Sequence, residues 1–157
     1  MLSFSGVTMA NPLVGLKKVG EAKLKVFFWD VYNSSLYSQT GEYQVEKFPQ
    51  VLKIDYLRDI DAADLIERTQ DEWKKLGIEQ TVYEPWLPLL TNIFPNIKKG
   101  DTLLLSVNEN LDSEFFFNGQ TIGKIPDLNF GKSFLRIWLD VNCSYPKVRE
   151  QLIGLNK

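Results

Sequence analysis

The chain has no histidine, one cysteine and two methionines in 157 residues. Without histidine it lacks the side chain that most readily moves a proton near neutral pH, and also the commonest metal ligand. Ser-His-Asp, Cys-His and His-based zinc chemistry are therefore excluded. Cys143 has no histidine to activate it and no second cysteine to pair with, so a structural thiol is expected there rather than a nucleophile. No phosphate-binding glycine loop, internal repeat, low-complexity tract or metal-ligand spacing occurs, and neither a metal nor another cofactor is expected. No stretch approaches the ~18 consecutive apolar residues of a membrane span. Neither sign of charge dominates: 18 basic and 20 acidic residues give a net charge of -2, and the basic residues are scattered rather than gathered into a stripe. Nucleic-acid binding has no electrostatic footprint here. Pairs such as Lys17-Lys18, Lys74-Lys75 and Lys98-Lys99 read as solvated surface.

What is present is ordinary globular material, 44% hydrophobic and 24% charged, with a rather high 13% of aromatic residues. A chain of this length buries roughly 70% of its unfolded surface as one domain. Residues 1–12 read as a flexible lead and 13–157 as the single domain. Met1 to Ala10 is uncharged and mildly apolar and ends in Thr8-Met9-Ala10. If it is the tail of a secretory signal, the protein is periplasmic or secreted; if it is a disordered lead or an expression scar, the protein is cytoplasmic.

The segment from Val26 to Tyr37 is dense in Val, Phe, Trp and Tyr around one carboxylate, Asp30. It predicts a central strand apolar on both faces and covered on both sides, with Asn33-Ser34-Ser35 as a bulge or kink. Strand structure is expected from Leu13 to Tyr43, with a turn at Gln39 to Glu42. Val51 to Leu57 alternates, Leu52, Ile54 and Tyr56 on one face and Lys53 and Asp55 on the other. Asp61 is a candidate N-cap for a helix whose apolar face includes Leu65, Ile66, Thr69 and Trp73 and which stops at Gly77. A second helical stretch surrounds Tyr83 to Phe94, with Pro85 suited to a first turn. Three strands follow, Thr102 to Val107, Ser113 to Phe117 and Gln120 to Ile125, the last two joined by Asn118-Gly119 in a type I′ hairpin. Asp127 is a candidate cap for a helix running to about Asp140, and Pro146 starts a last short helix closing at Gly154. Strands precede helices in each half, which favours an α+β fold with a large antiparallel sheet and a layer of helices on one face.

The order of these elements carries a family resemblance, together with Gly20, Phe28-Trp29-Asp30-Val31-Tyr32, Leu36-Tyr37, Tyr56-Leu57-Arg58-Asp59-Ile60, Phe94-Pro95, Lys99-Gly100-Asp101, Phe117-Asn118-Gly119 and Pro146 with Leu152-Ile153-Gly154. The chain resembles the chalcone isomerase-like family over roughly Gly15 to Gly154, and more narrowly its bacterial branch of unassigned function. The resemblance implies an open-faced β-sandwich with an apolar ligand cleft between helices and sheet. Plant enzymes of this fold close a chalcone into a flavanone, and related members without that activity bind fatty acids, holding the carboxylate with an arginine and a tyrosine. Carried over residue by residue, the family's cleft arginine finds only Lys23 or Lys25. Its threonine falls on Tyr32, its tyrosine near Asp64, its asparagine near Thr69, and its late serine or threonine near Ile137. Ile137 offers no hydroxyl to stabilise an enolate, so chalcone cyclisation is not expected.

The candidate ligand-binding residues are Arg58, Arg68, Trp29, Asp30, Tyr32, Tyr56, Thr69 and Trp73; no catalytic residue is assigned. Arg58 continues the face of Leu52, Ile54 and Tyr56, where its guanidinium would meet a carboxylate bidentately; the alternative is a salt bridge to Asp59, Asp61 or Asp30. Arg68, beside Thr69, either serves the ligand or pairs with Asp64 or Glu72. Asp30, if buried, needs a partner, a nearby arginine being the plainest. Trp29, Tyr32, Tyr37, Tyr56 and Trp73 either line a cleft or fill the core, as do Trp86 and Trp138. The expected function is non-catalytic binding of a fatty acid or similar small amphipathic carboxylate, with no membrane span, no nucleic acid and no identified protein partner. The alternatives are an isomerase or lyase using Asp30, Tyr32 or Tyr56, and a structural or partner-binding protein whose cleft is closed by core side chains.

Overall fold

In a computed structural model, which describes residues 11–155, six strands follow one another in space in chain order, every neighbouring pair antiparallel. They are β1 (Lys17–Val26), β2 (Trp29–Ser38), β3 (Gln50–Tyr56), β4 (Thr102–Val107), β5 (Ser113–Phe117) and β6 (Gln120–Ile125). Between β3 and β4 come α1 (Ala62–Lys75), α2 (Gln80–Tyr83) and α3 (Trp86–Ile93); after β6 come α4 (Phe130–Leu139) and α5 (Pro146–Leu152). The five helices pack on the sheet, giving the α+β open-faced arrangement. Of the expected lead at 1–12, residues 1–10 lie outside the described residues. Leu13 and Leu16 pack with Val51, Leu104 and Phe116, a small apolar cluster separate from the main core.

The segment from Val26 to Tyr37 is not one central strand. It is the turn and second strand of an edge hairpin: Val26 pairs with Trp29, and Phe27-Phe28 form the two-residue connection. Continuous β-propensity hid the reversal, because neither turn residue is Gly, Asn or Asp. The chain meets the turn with Phe27 at φ +55°, in the left-handed region. Nor is Asn33-Ser34-Ser35 irregular. Ser34 and Ser35 are buried in a regular ladder, and the Ser34 hydroxyl donates to Ala22 O at 3.3 Å. The irregularities fall at Val19 in β1, between Lys18 and Gly20, and at Val31 in β2, opposite the Leu24-Lys25 step.

Elsewhere local chemistry fixed the elements. Asn118 and Gly119 both have positive φ, +50° and +86°, as a type I′ turn requires. Asp61 stands at the N-cap of α1 without a side-chain cap bond. Asp127 does not cap α4, whose N-cap is Asn129. Its carboxylate instead accepts from Asn129 N at 2.9 Å and from Trp86 Nε1 at 2.8 Å, tying α3 to the start of α4.

The core lies between helices and sheet and is largely aromatic. Trp73 stacks on Tyr83 at 5.7 Å and meets Trp86 and Phe130 edge to face. Its indole N–H donates to Ser133 O at 3.0 Å, joining α1 to α4. Phe115 from the sheet contacts Phe94, Phe130 and Phe134 at 5.1 to 5.8 Å. This cluster supports the end of the helical layer over β4 to β6. Over β1 to β3, α5 seats on β1 while α1 and α4 stand off the sheet.

Candidate functional site

Where α1 and α4 lift from β1 to β3, a cleft of about 760 Å³ opens, within the usual range for small-molecule sites. Its apolar wall comes from Leu24, Val26, Leu65, Leu103, Phe134 and Ile137. The irregularity at Val31 has a local consequence: Val31 and Tyr32, neighbours in sequence, both line the cleft, the re-aiming that bulges provide.

Two phenols occupy the buried part of this space. Tyr56 is 3% exposed and its ring meets that of Tyr32 edge to face at 6.0 Å. Trp138 Nε1 donates to Tyr32 Oη at 2.8 Å. Among the described residues neither the Tyr56 hydroxyl nor the Tyr32 O–H proton has a hydrogen-bond acceptor. Burial raises the pKa of both phenols well above the ordinary tyrosine value, so they are neutral donors across the physiological range and poor general bases. Thr69 is buried and spends its hydroxyl proton on Leu65 O at 2.8 Å.

The mouth is charged. Arg58 and Arg68 are exposed and line it. The Arg58 guanidinium lies 5.0 Å from the centre of the Trp29 ring, a cation–π contact. Among the described residues neither arginine has a carboxylate within 4.0 Å. The expected alternatives, Arg58 to Asp59, Asp61 or Asp30 and Arg68 to Asp64 or Glu72, do not form. Six carboxylates, those of Asp59, Asp61, Asp64, Glu67, Asp71 and Glu72, share the lining. Two are already engaged: Asp59 accepts from Lys99 N at 2.8 Å, and Glu72 is bonded to Ser144 and Lys75.

The structure thus brings Trp29, Tyr32, Tyr56, Arg58, Arg68 and Thr69 to one cleft. Asp30 and Trp73 are not there. Asp30 is exposed on the edge hairpin and pairs with Lys23 at 3.6 Å, so it has neither the burial nor the arginine expected of it. Trp73 is 0% exposed and belongs to the aromatic core. Cys143 is buried, and burial pushes its thiol pKa up, away from the thiolate a nucleophile needs. Sequence reasoning missed Leu24, Phe134 and Tyr145 as lining residues, since nothing local marks them. It also missed the acidic collar, although Asp61, Asp64, Arg68 and Asp71 recur at helical spacing.

The family model for chalcone isomerase-like proteins matches residues 14–154. The chain belongs to the chalcone isomerase-like family. Among relatives of this chalcone isomerase-like chain, a Haemophilus influenzae protein described as uncharacterised is 26% identical over 149 residues, covering 94% of this chain and 73% of the relative. Among solved structures, a fatty-acid binding protein of Arabidopsis thaliana superposes with a TM-score of 0.67 at 11% identity, covering 90% of this chain and 88% of the other. At that identity the likeness is one of fold. Of the positions that the resemblance assigned to family chemistry, Tyr32, Asp64, Thr69 and Ile137 line the cleft. Lys23 and Lys25 do not line it.

Proposed function

We propose that this chalcone isomerase-like protein binds, without chemical conversion, a fatty acid or similar small amphipathic carboxylate. The observation that carries the proposal is a 760 Å³ cleft with an apolar wall and, among the described residues, phenol donors without an acceptor inside and two guanidiniums without a carboxylate partner at the mouth. The apolar body of the ligand lies against Leu24, Leu65, Leu103 and Phe134. Its carboxylate is taken at the mouth by Arg58 or Arg68, bidentately. The phenols of Tyr32 and Tyr56 accommodate any acceptor that reaches the interior. The surplus of carboxylates over arginines at the mouth sets a condition on the ligand. A monoanion in direct contact with a guanidinium is accommodated, whereas a di- or trianion such as a phosphate ester meets net repulsion.

An isomerase or lyase using Tyr32 or Tyr56 as base is disfavoured, since burial opposes ionisation of both. Asp30 does not line the cleft and pairs with Lys23, and the open volume speaks against a cleft closed by core side chains. The test is native mass spectrometry with solvent extraction of the purified protein, followed by titration of the stripped protein with a long-chain fatty acid and the corresponding fatty alcohol. Retained or rebound fatty acid is expected, with tighter binding than the alcohol, and R58Q/R68Q abolishes that preference. An empty protein with no affinity for either ligand sinks the proposal.

A further inference from the structure

The two residues at the tip of the β1–β2 hairpin are explained by neither folding nor packing. Phe27 is 87% and Phe28 92% exposed, and the next residue, Trp29, is 61% exposed. Phe27 holds φ +55° at the first central position of a two-residue turn, a place that hairpins give to glycine, asparagine or aspartate. Three consecutive aromatic side chains therefore stand in solvent at some cost to the turn, and two of them, Phe27 and Trp29, also line the mouth of the cleft.

We infer that this tip is a membrane-docking wedge: Phe27 and Phe28 insert into a lipid bilayer, Trp29 sits at its headgroup level, and the mouth of the cleft is held against the lipid surface. Area favours a bilayer over a protein partner. Aromatic side chains bury about 150–250 Å² each, so the three fall short of the about 800 Å² per partner of a stable protein interface, yet they suffice for interfacial insertion. The order is also right, with apolar rings outermost and an indole behind them, where Trp collects at membrane interfaces. Charge selects the kind of bilayer. Lys23 is offset by Asp30 at 3.6 Å, Arg58 covers Trp29, and the further cation beside the tip, Lys25, is outweighed by an adjoining mouth that carries six carboxylates against two arginines. A zwitterionic surface is accepted, whereas a strongly anionic one is repelled.

The experiment is flotation of the full chain with phosphatidylcholine vesicles and with vesicles rich in phosphatidylglycerol, at low and high salt. Phosphatidylcholine binding that changes little with salt is expected, weaker on anionic vesicles, with quenching of Trp29 fluorescence by brominated lipid that is lost in W29F. F27G/F28N installs a better turn sequence, so it folds at least as well, and it lowers vesicle binding by about tenfold or more. Vesicle binding needs no ligand in the cleft, so a cleft that proves empty leaves this outcome intact. Absence of binding to phosphatidylcholine, equal binding by F27G/F28N, or binding confined to anionic vesicles and abolished by high salt overturns the inference. So does a dimer that F27G/F28N dissociates.

Discussion

The indole of Trp138 on α4 and the phenol of Tyr32 on β2 meet at 2.8 Å across 106 positions of sequence. This bond ties the helical layer to the sheet where the two stand apart, and it fixes Tyr32 Oη as an acceptor, leaving its proton free for a ligand. Removing the hydroxyl in Y32F strands the indole N–H in a partly buried place, at about 1 kcal/mol. Urea unfolding is expected to show that loss. The double variant Y32F/W138F is expected to recover part of it, because both polar partners are then gone. A double variant that costs the sum of Y32F and W138F taken singly would mean that the bond contributes nothing.

The raised phenol pKa values make alkaline stability a direct readout of the cleft interior. An ordinary tyrosine ionises near pH 10; burial lifts Tyr32 and Tyr56 well above that, and Tyr43 to a lesser extent. Above pH 10 the unfolded chain loses these protons while the folded chain keeps them, so the folded state binds more protons and its stability falls as pH rises. Each such group contributes a slope of about 1.4 kcal/mol per pH unit. Absorbance at 295 nm is expected to show Tyr32 and Tyr56, out of six tyrosines in all, ionising only as the protein unfolds. Y32F/Y56F is expected to flatten the stability loss above pH 10. All six titrating together near pH 10 in the folded protein would place both phenols in water.

Much of the architecture was legible because its signals are local. The Asn118-Gly119 turn, the stop at Gly77 and the alternation of Leu52, Ile54 and Tyr56 each depend on a few neighbouring residues. Periodicity likewise put Arg58 on the side of the sheet where the structure has the cleft. The reversal at Phe27-Phe28 was not legible, since turn chemistry is absent and the flanking residues all favour strands. Contacts between distant elements were also hidden. Trp73 and Tyr56 carry the same kind of sequence signal, yet one is sealed by Tyr83, Trp86 and Phe130 and the other faces open space. Only the packing of α1 and α4 decides between them.

That division predicts opposite responses to volume changes. W73A removes a fully buried ring from the aromatic core and is expected to cost about 3–5 kcal/mol. I137W adds bulk facing the cleft, where there is room, and is expected to change stability by less than about 1 kcal/mol while excluding fatty acid. Thermal unfolding with the ligand titration measures both effects. A large loss of stability in I137W would mean that the space is too small to admit a ring.

The last α-helix offers a separate handle on the cleft, through a single glycine. A Cβ built on Gly20 would lie 2.1 Å from Gln151 O and 2.7 Å from Leu152 O, so α5 seats directly on the backbone of β1. Both obstacles are backbone atoms, which cannot swing aside as a side chain can. G20A must therefore push the end of α5 outward, at about 1–3 kcal/mol. Val148 on α5 and Tyr145 just before it line the cleft, so the displacement also loosens that wall. G20A is expected to lower the unfolding midpoint and to weaken ligand binding together. The compensating truncation L152A removes bulk but leaves both carbonyls in place, and is expected not to rescue it. Rescue by L152A would show that side-chain bulk, rather than the close approach of two backbones, holds α5 at this position.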